Sequence, residues 1–149
     1  MNATYLDSSA LVRLCVGEGE LAPIEEAMSG LPVTSVVAAI EVPGAIQARF
    51  HRGIIDASER DRLLTIASMI LNSVGQIGLG AAVRREATII AAGHLLRTLD
   101  AIHLGAAVVV DRHQRRQGKE LRFCTGDQRQ GAAASSRFGA GRLTILPSL

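Results

Sequence analysis

Apolar positions along the chain fall into short runs of two kinds, and their alternation sets the architecture to expect. Thr4–Leu6, Leu31–Ser35, Val74–Leu79, Leu121–Thr125 and Leu143–Leu146 are brief and bounded by turn or capping residues, as buried strands are. Val74–Leu79 is the weakest of them, because it carries two glycines. Between these runs, Ala10–Val16, Glu20–Met28, Glu59–Leu71, Ala81–Leu96, Leu99–Arg116 and Gln128–Phe138 read as helices. A further helix, capped by Ser35, is expected to run to about His51. Ser8 and Ser9 can cap the first helix, Asp56 or Ser58 the one before Leu71, and Thr98 the one that follows it. Gly17, Gly19 and Gly30 supply breaks. Strands alternating with helices predict a parallel sheet with helices on both faces.

At 149 residues the chain is expected to form one domain over positions 1–149. It has no internal repeat and no low-complexity linker. The apolar fraction of 48% against 20% charged residues excludes a disordered chain. Aromatic residues make up only 3%, so the core is aliphatic and a platform of stacked aromatics for RNA is not expected. The most apolar stretches, Val33–Ile40 and Ala101–Val110, fall well short of the ~20 residues of a membrane span. The N-terminus lacks the basic and long apolar segments of a signal peptide. Cys15 and Cys124 lie in apolar surroundings and read as buried thiols, consistent with the cytoplasm. Net charge is only +2, yet the cations are fifteen Arg and a single Lys, Lys119. The planar guanidinium fork suits phosphate, so a polyanionic substrate is permitted without being required.

Of the fourteen acidic residues, ten lie in polar company and read as solvated: Glu18, Glu20, Glu25, Glu26, Asp56, Glu59, Asp61, Glu86, Asp111 and Glu120. Four stand apart. Asp7 ends the first strand, Glu41 interrupts the apolar helix VVAAIEVPGAI, Asp100 opens LDAIHLGAAVVV, and Asp127 follows RFCTG. Capping accounts for Asp7, and the helix dipole for Asp100, as well as a functional role does. Asp127 reads equally as a turn residue. Glu41 is harder to explain away, because an unpaired carboxylate on an apolar helix is costly. In an open parallel sheet, all four can converge in the crevice outside the strands' carboxyl ends. Clustered carboxylates repel unless a cation joins them, and an all-oxygen set with no Cys or His favours Mg²⁺ or Mn²⁺.

The segments YLDSSALVRL around Asp7, VTSVVAAIEV leading to Glu41, LRTLDAIHLGAA around Asp100 and FCTGDQRQ around Asp127 resemble those of PIN-domain ribonucleases. The likeness is to the VapC-type toxins of bacterial toxin–antitoxin pairs in particular, and it spans nearly the whole chain. It implies a three-layer α/β/α fold with a central, mostly parallel sheet. It also implies a metal-dependent endoribonuclease using Mg²⁺ (or Mn²⁺), a homodimer, and a VapB-like antitoxin that occludes the site. By motif position Asp7, Glu41, Asp100 and Asp127 match the family's acidic quartet. Asp7 and Asp100 would then hold the metal, with Glu41 and Asp127 doing so directly or through water. Ser9 and Thr125 match small hydroxyl residues beside the first and last acids. Two departures bear on geometry: Pro43 and Gly44 follow Glu41 inside its helix, where a kink is expected, and Gly126 loosens the loop before Asp127.

Other residues compete for roles. Arg13, six positions past Asp7, can reach substrate phosphate or an antitoxin carboxylate, or can be a solvated helix residue. His103 and His94 read as neutral side chains packed on helices, and His51 and His113 as solvated. Arg112, Arg115, Arg116, Lys119 and Arg122 form the densest basic cluster, read as a solvated helix end remote from the acids. Ala10–Val16 and Ile54–Leu71 offer surplus aliphatic surface for a dimer or partner face. Three alternatives remain. A receiver-like phosphoacceptor domain wants paired acids at the first strand and a Lys after a late one, and the only Lys precedes a strand. A haloacid-dehalogenase-like phosphatase wants Asp-x-Asp, and position 9 is Ser. A catalytically silent PIN-fold scaffold would gain nothing from four buried acids.

Overall fold

The structure, a computed structural model, describes residues 1–149. In chain order the elements are β1 (Ala3–Leu6), α1 (Ser8–Val16), α2 (Ala22–Met28), β2 (Leu31–Ser35), α3 (Ala38–His51), α4 (Ala57–Ser73) and β3 (Gly75–Ile77). There follow α5 (Ala81–Gly93), α6 (Thr98–Arg115), β4 (Arg122–Thr125), α7 (Gln128–Phe138), a 3₁₀ turn at Ala140–Arg142 and β5 (Leu143–Ile145). The strands form one sheet in the order β3-β2-β1-β4-β5, every pair parallel. The fold is thus a mixed α/β one, a parallel sheet between two helical layers, as the sequence pattern implies.

Side chains on a strand alternate between its faces, and this divides the core. Tyr5 and Phe123 point to one side, where they pack with Leu104, Ala107, Ala134 and Phe138 of α6 and α7. Leu6 and Cys124 point to the other, against Leu11, Ile24, Ile46 and Leu63 of α1–α4. Cys15 and Cys124 are buried free thiols. The apolar surplus expected on α1 and α4 is largely consumed here: Leu11, Leu63, Ala67 and Leu71 are buried, and of the long apolar side chains around α4 Ile54 and Met69 remain exposed.

The chain runs outward from β1 through β2 to β3, then crosses back to place β4 on the other side of β1. The order therefore reverses between β1 and β4, and such a switch point opens a crevice beyond the strands' carboxyl ends. The crossover is made by α5 and α6, which pack closely. A Cβ built on Gly105 would lie 2.8 Å from the backbone nitrogen of Ala87 and 3.1 Å from the carbonyl oxygen of Val83. Gly105→Ala is expected to force α6 off α5 and cost about 1–3 kcal/mol, read from urea unfolding. A variant as stable as the native chain would show that this contact has slack.

Several local expectations shift by a few residues. Pro23 stands in the first turn of α2, which starts at Ala22 rather than Glu20. The helix α5 stops at Gly93, with His94 extended, so His94 lies half-buried on a loop instead of packed on a helix. Thr98 is the first helical residue of α6 and Arg97 takes the cap position without a side-chain bond. The helix α3 runs unbroken from Ala38 to His51 with Pro43 inside it. The hydrogen bond Pro43 cannot donate would have gone to Ala39, which is exposed, so water can satisfy that carbonyl.

Glu86 and Asp111 are corrections of another kind. Both were expected to be solvated, and both are buried. Glu86 takes Arg112 Nη1 at 2.6 Å, while Asp111 accepts from Arg115, from Arg142 Nη1 at 2.7 Å and from the Leu121 backbone at 3.0 Å. Their polar sequence neighbours suggested water, but packing of α6 against α5 and β4 encloses them, and charged partners make that enclosure tolerable.

Candidate functional site

Asp7 leaves the end of β1 in an extended conformation and caps α1, its Oδ1 accepting from the Ala10 backbone at 3.1 Å. It is only 4% exposed. Ser9 Oγ donates to the same oxygen at 2.5 Å, and Thr125 Oγ1 donates to Oδ2 from the end of β4. Burial pushes the Asp7 carboxyl above its ordinary range, and these hydrogen bonds only partly oppose that. Thr125 Oγ1 also accepts from the Asp127 backbone at 3.0 Å, and Ser9 Oγ from the Gly126 backbone at 2.8 Å. The two hydroxyls thus lace the strand ends of β1 and β4 together around Asp7.

Asp127 caps α7, with Oδ1 accepting from the backbones of Arg129 and Gln130. Its other oxygen lies 3.8 Å from Arg97 Nη2, while Arg97 Nε lies 3.3 Å from Asp100 in the first turn of α6. Arg97 is therefore a cation set between two acids, with its side chain 71% exposed. Gln130 ties α7 to the same turn by donating from Nε2 to the Asp100 carbonyl at 2.9 Å.

Glu41 stands in the first turn of α3, half-buried, with Oε1 2.6 Å from His103 Nε2 of α6. Burial raises its pKa, but the hydrogen bond from His103 and the nearby charge of Arg97 help outweigh this, and the carboxyl is held below its usual range. His103 was expected to be packed, and it is, but it is no bystander: it joins the acidic group through Glu41. Its Nδ1 meets the Tyr5 hydroxyl at 2.8 Å, and Ser8 Oγ lies 3.1 Å from Nε2. Tyr5, Ser8, Arg97 and His103 are thus site residues beyond the acids and their hydroxyls. The one signal in the sequence was position: Tyr5 and Ser8 flank Asp7, and Arg97 and His103 lie one turn either side of Asp100.

All four acids singled out in the sequence therefore lie beyond the sheet's carboxyl end; Thr125 and Arg97 link Asp7, Asp127 and Asp100, while Glu41 is tied through His103 to Tyr5 and Ser8. They are not gathered to ligand distance, for no three His, Cys, Asp or Glu side chains enclose a metal-sized space. In donor chemistry they fit a hard divalent cation, four carboxylates with no thiol among them. Arg97 holds one positive charge between Asp100 and Asp127, which offsets the repulsion between these two carboxylates.

Arg13 lines the cleft beside the acids but is not the solvated helix residue that was its alternative reading. It is 6% exposed, and its guanidinium donates to the carbonyls of Pro147 and Gly126. This gives Gly126 a purpose other than slack, since a Cβ there would lie 2.7 Å from Arg13 Nε. The loop before Asp127 is pinned rather than loosened. Beside the acids, a cleft of about 360 Å³ runs between α1 and α3, lined by Ser8, Ser9, Val12, Val16, Glu41 and Arg49. The basic cluster that includes Arg112 and Arg115 lies at the far end of α6, about 20 Å from Asp100 by helical rise.

No protein-family model matches the sequence, and no curated protein is detectably similar to it. Several solved structures share the fold, among them the following two. A toxin–antitoxin complex from Klebsiella pneumoniae contains a chain that superposes with a TM-score of 0.67 at 18% identity, over 99% of this chain and 100% of that one. PAE2754 from Pyrobaculum aerophilum superposes with a TM-score of 0.64 at 16% identity, over 97% of this chain and 84% of that one. At such identities the likeness establishes the fold. None of the helices is long and apolar enough to cross a membrane.

Proposed function

We propose that this chain is a metal-dependent endoribonuclease of the PIN-domain, VapC type, the toxin of a type II toxin–antitoxin pair. The observation that carries the reading is the network joining Asp7, Asp127 and Asp100 through Thr125 and Arg97 at the switch point between β1 and β4, with Glu41 held by His103 on the neighbouring α3. Asp7 and Asp100 would hold Mg²⁺ or Mn²⁺, with Glu41 and Asp127 completing the set directly or through water. The ion would supply a Lewis acid that activates water and neutralises charge developing on the phosphate. Ser9 and Thr125 orient Asp7, and His103 and Ser8 hold Glu41. Arg97, released from Asp100 and Asp127, presents an exposed guanidinium to the phosphodiester chain.

The Klebsiella pneumoniae structure is a toxin–antitoxin complex, and the shared fold brings an antitoxin into the proposal. The cleft between α1 and α3 suits a VapB-like segment, with Val12 and Val16 for apolar anchors and Glu41 for a basic side chain. Ile54, just before α4, and Met69 on it are exposed apolar residues that suit a homodimer contact. Purified protein is expected to cut single-stranded RNA internally with Mn²⁺ or Mg²⁺ and to stop with chelator, leaving duplex DNA intact. Cleavage that survives both chelator and Asp7→Ala would overturn the assignment.

A further inference from the structure

The buried partner of Glu41 is the part of the site that capping and strand geometry do not require. His103 is 1% exposed, and every polar atom of its ring is engaged. Tyr5, itself fully buried, stacks on Phe123 at 5.4 Å between ring centroids and meets the His103 ring edge-on at 5.9 Å. Gly105, two residues further along α6, locks that helix against α5. The ring therefore cannot turn, and its two nitrogens have fixed partners. The Glu41 carboxylate can only accept, so the ring proton sits on Nε2 and the Tyr5 hydroxyl donates to Nδ1. Nε2–H donates to Glu41 Oε1. The result is a directed chain from β1 through α6 to α3, and it ends on one carboxylate.

We propose that His103 is a positioning residue: clamped by Tyr5, its imidazole aims and holds the Glu41 carboxylate for a divalent cation shared with Asp7, Asp100 and Asp127. This rests on the metal-site reading given above. Outer partners of metal-ligating groups generally change affinity by about 10–100-fold when removed. Ser8 Oγ lies 3.1 Å from the same Nε2 and leaves a polar group beside the carboxylate, so the lower end of that range applies.

The test is Mn²⁺ binding by the full chain, measured by calorimetry without RNA. An amide at the end of Gln reaches roughly as far as Nε2, whereas that of Asn stops near Nδ1. His103→Gln therefore keeps a donor for Glu41, and His103→Asn keeps only the contact with Tyr5. His103→Asn is expected to weaken Mn²⁺ binding about 10-fold, with His103→Gln restoring most of the loss. In a Glu41→Gln background, His103→Asn should change nothing further, because the group it positions is already gone. Tyr5→Phe, which removes one buried hydroxyl and keeps the stacked ring, should weaken binding in the same direction. It decides the matter if His103→Asn fails to fold. Equal losses in His103→Asn and His103→Gln, or unchanged binding in Tyr5→Phe and His103→Asn, would overturn the role of His103 alone. No Mn²⁺ binding by the native chain would remove the metal site, and this role with it.

Discussion

Asp7→Asn is expected to lower metal-dependent RNA cleavage by about 10³-fold while making the folded chain more stable at pH 7. The loss follows from removing a carboxylate that would share in several kcal/mol of charge stabilisation at the phosphate. The gain follows from burial. In the folded chain Asp7 is held above its ordinary pKa, chiefly by desolvation. The folded state therefore binds a proton that the unfolded state releases, and stability falls as pH rises through that interval. Above it the buried carboxylate opposes folding. Asn at this position still accepts from the Ala10 backbone and can meet the Thr125 hydroxyl, so the cap survives. The stability difference between variant and native chain should shrink as the pH is lowered below the Asp range. Glu41 acts with the opposite sign. Its lowered pKa contributes stability above the ordinary Glu range, and that stability is lost as pH falls through the folded value. Urea unfolding at pH 7 and at pH 4, beside a cleavage assay, separates the two effects. A variant that is inactive and also less stable at pH 7 would mean Asp7 serves the fold before the chemistry.

Mn²⁺ at a hundred times its dissociation constant is expected to stabilise the native chain by about 2.7 kcal/mol. For a domain of this size that is roughly 5–10 °C in Tm. Because like charges repel across the site, the ion should bind the folded state alone, and chelator should reverse the shift. Asp7→Asn and Asp100→Asn should each abolish most of it. Asp100 has a competing partner in Arg97, 3.3 Å away, so the ion must displace that contact before it gains this oxygen. Equal metal-induced shifts in the native chain and both variants would place the bound ion elsewhere.

Much of this architecture is written locally. The five strands and the helices between them follow from periods of two and 3.6 residues, each legible within a handful of positions. Asp7, Asp56 and Asp127 each cap the helix that follows, because the carboxylate reaches a backbone N–H two or three residues on and needs no distant partner. Once the sheet is known to be parallel, acids at its carboxyl end share one crevice, while a helix start such as Asp56 on α4, which follows another helix, need not. Asp7 and Asp127 were legible for that reason, as was Asp100.

Other features depend on which elements become neighbours, and no local signal carries that. His103 meets Glu41 across 62 positions and Tyr5 across 98, and the pairing exists only because α6 returns over β1 after the crossover. Arg13 reads as an exposed helical cation until its carbonyl partners 113 and 134 residues away bury it. Glu86 and Asp111 sit among polar residues in sequence and are buried by helix packing, with the arginines that neutralise them drawn partly from other elements. Capping and amphipathic patterning are decided over one or two turns of chain, and the sequence alone determined them. The partner of a buried charge is decided by strand order and helix contact, and only the tertiary structure supplies it.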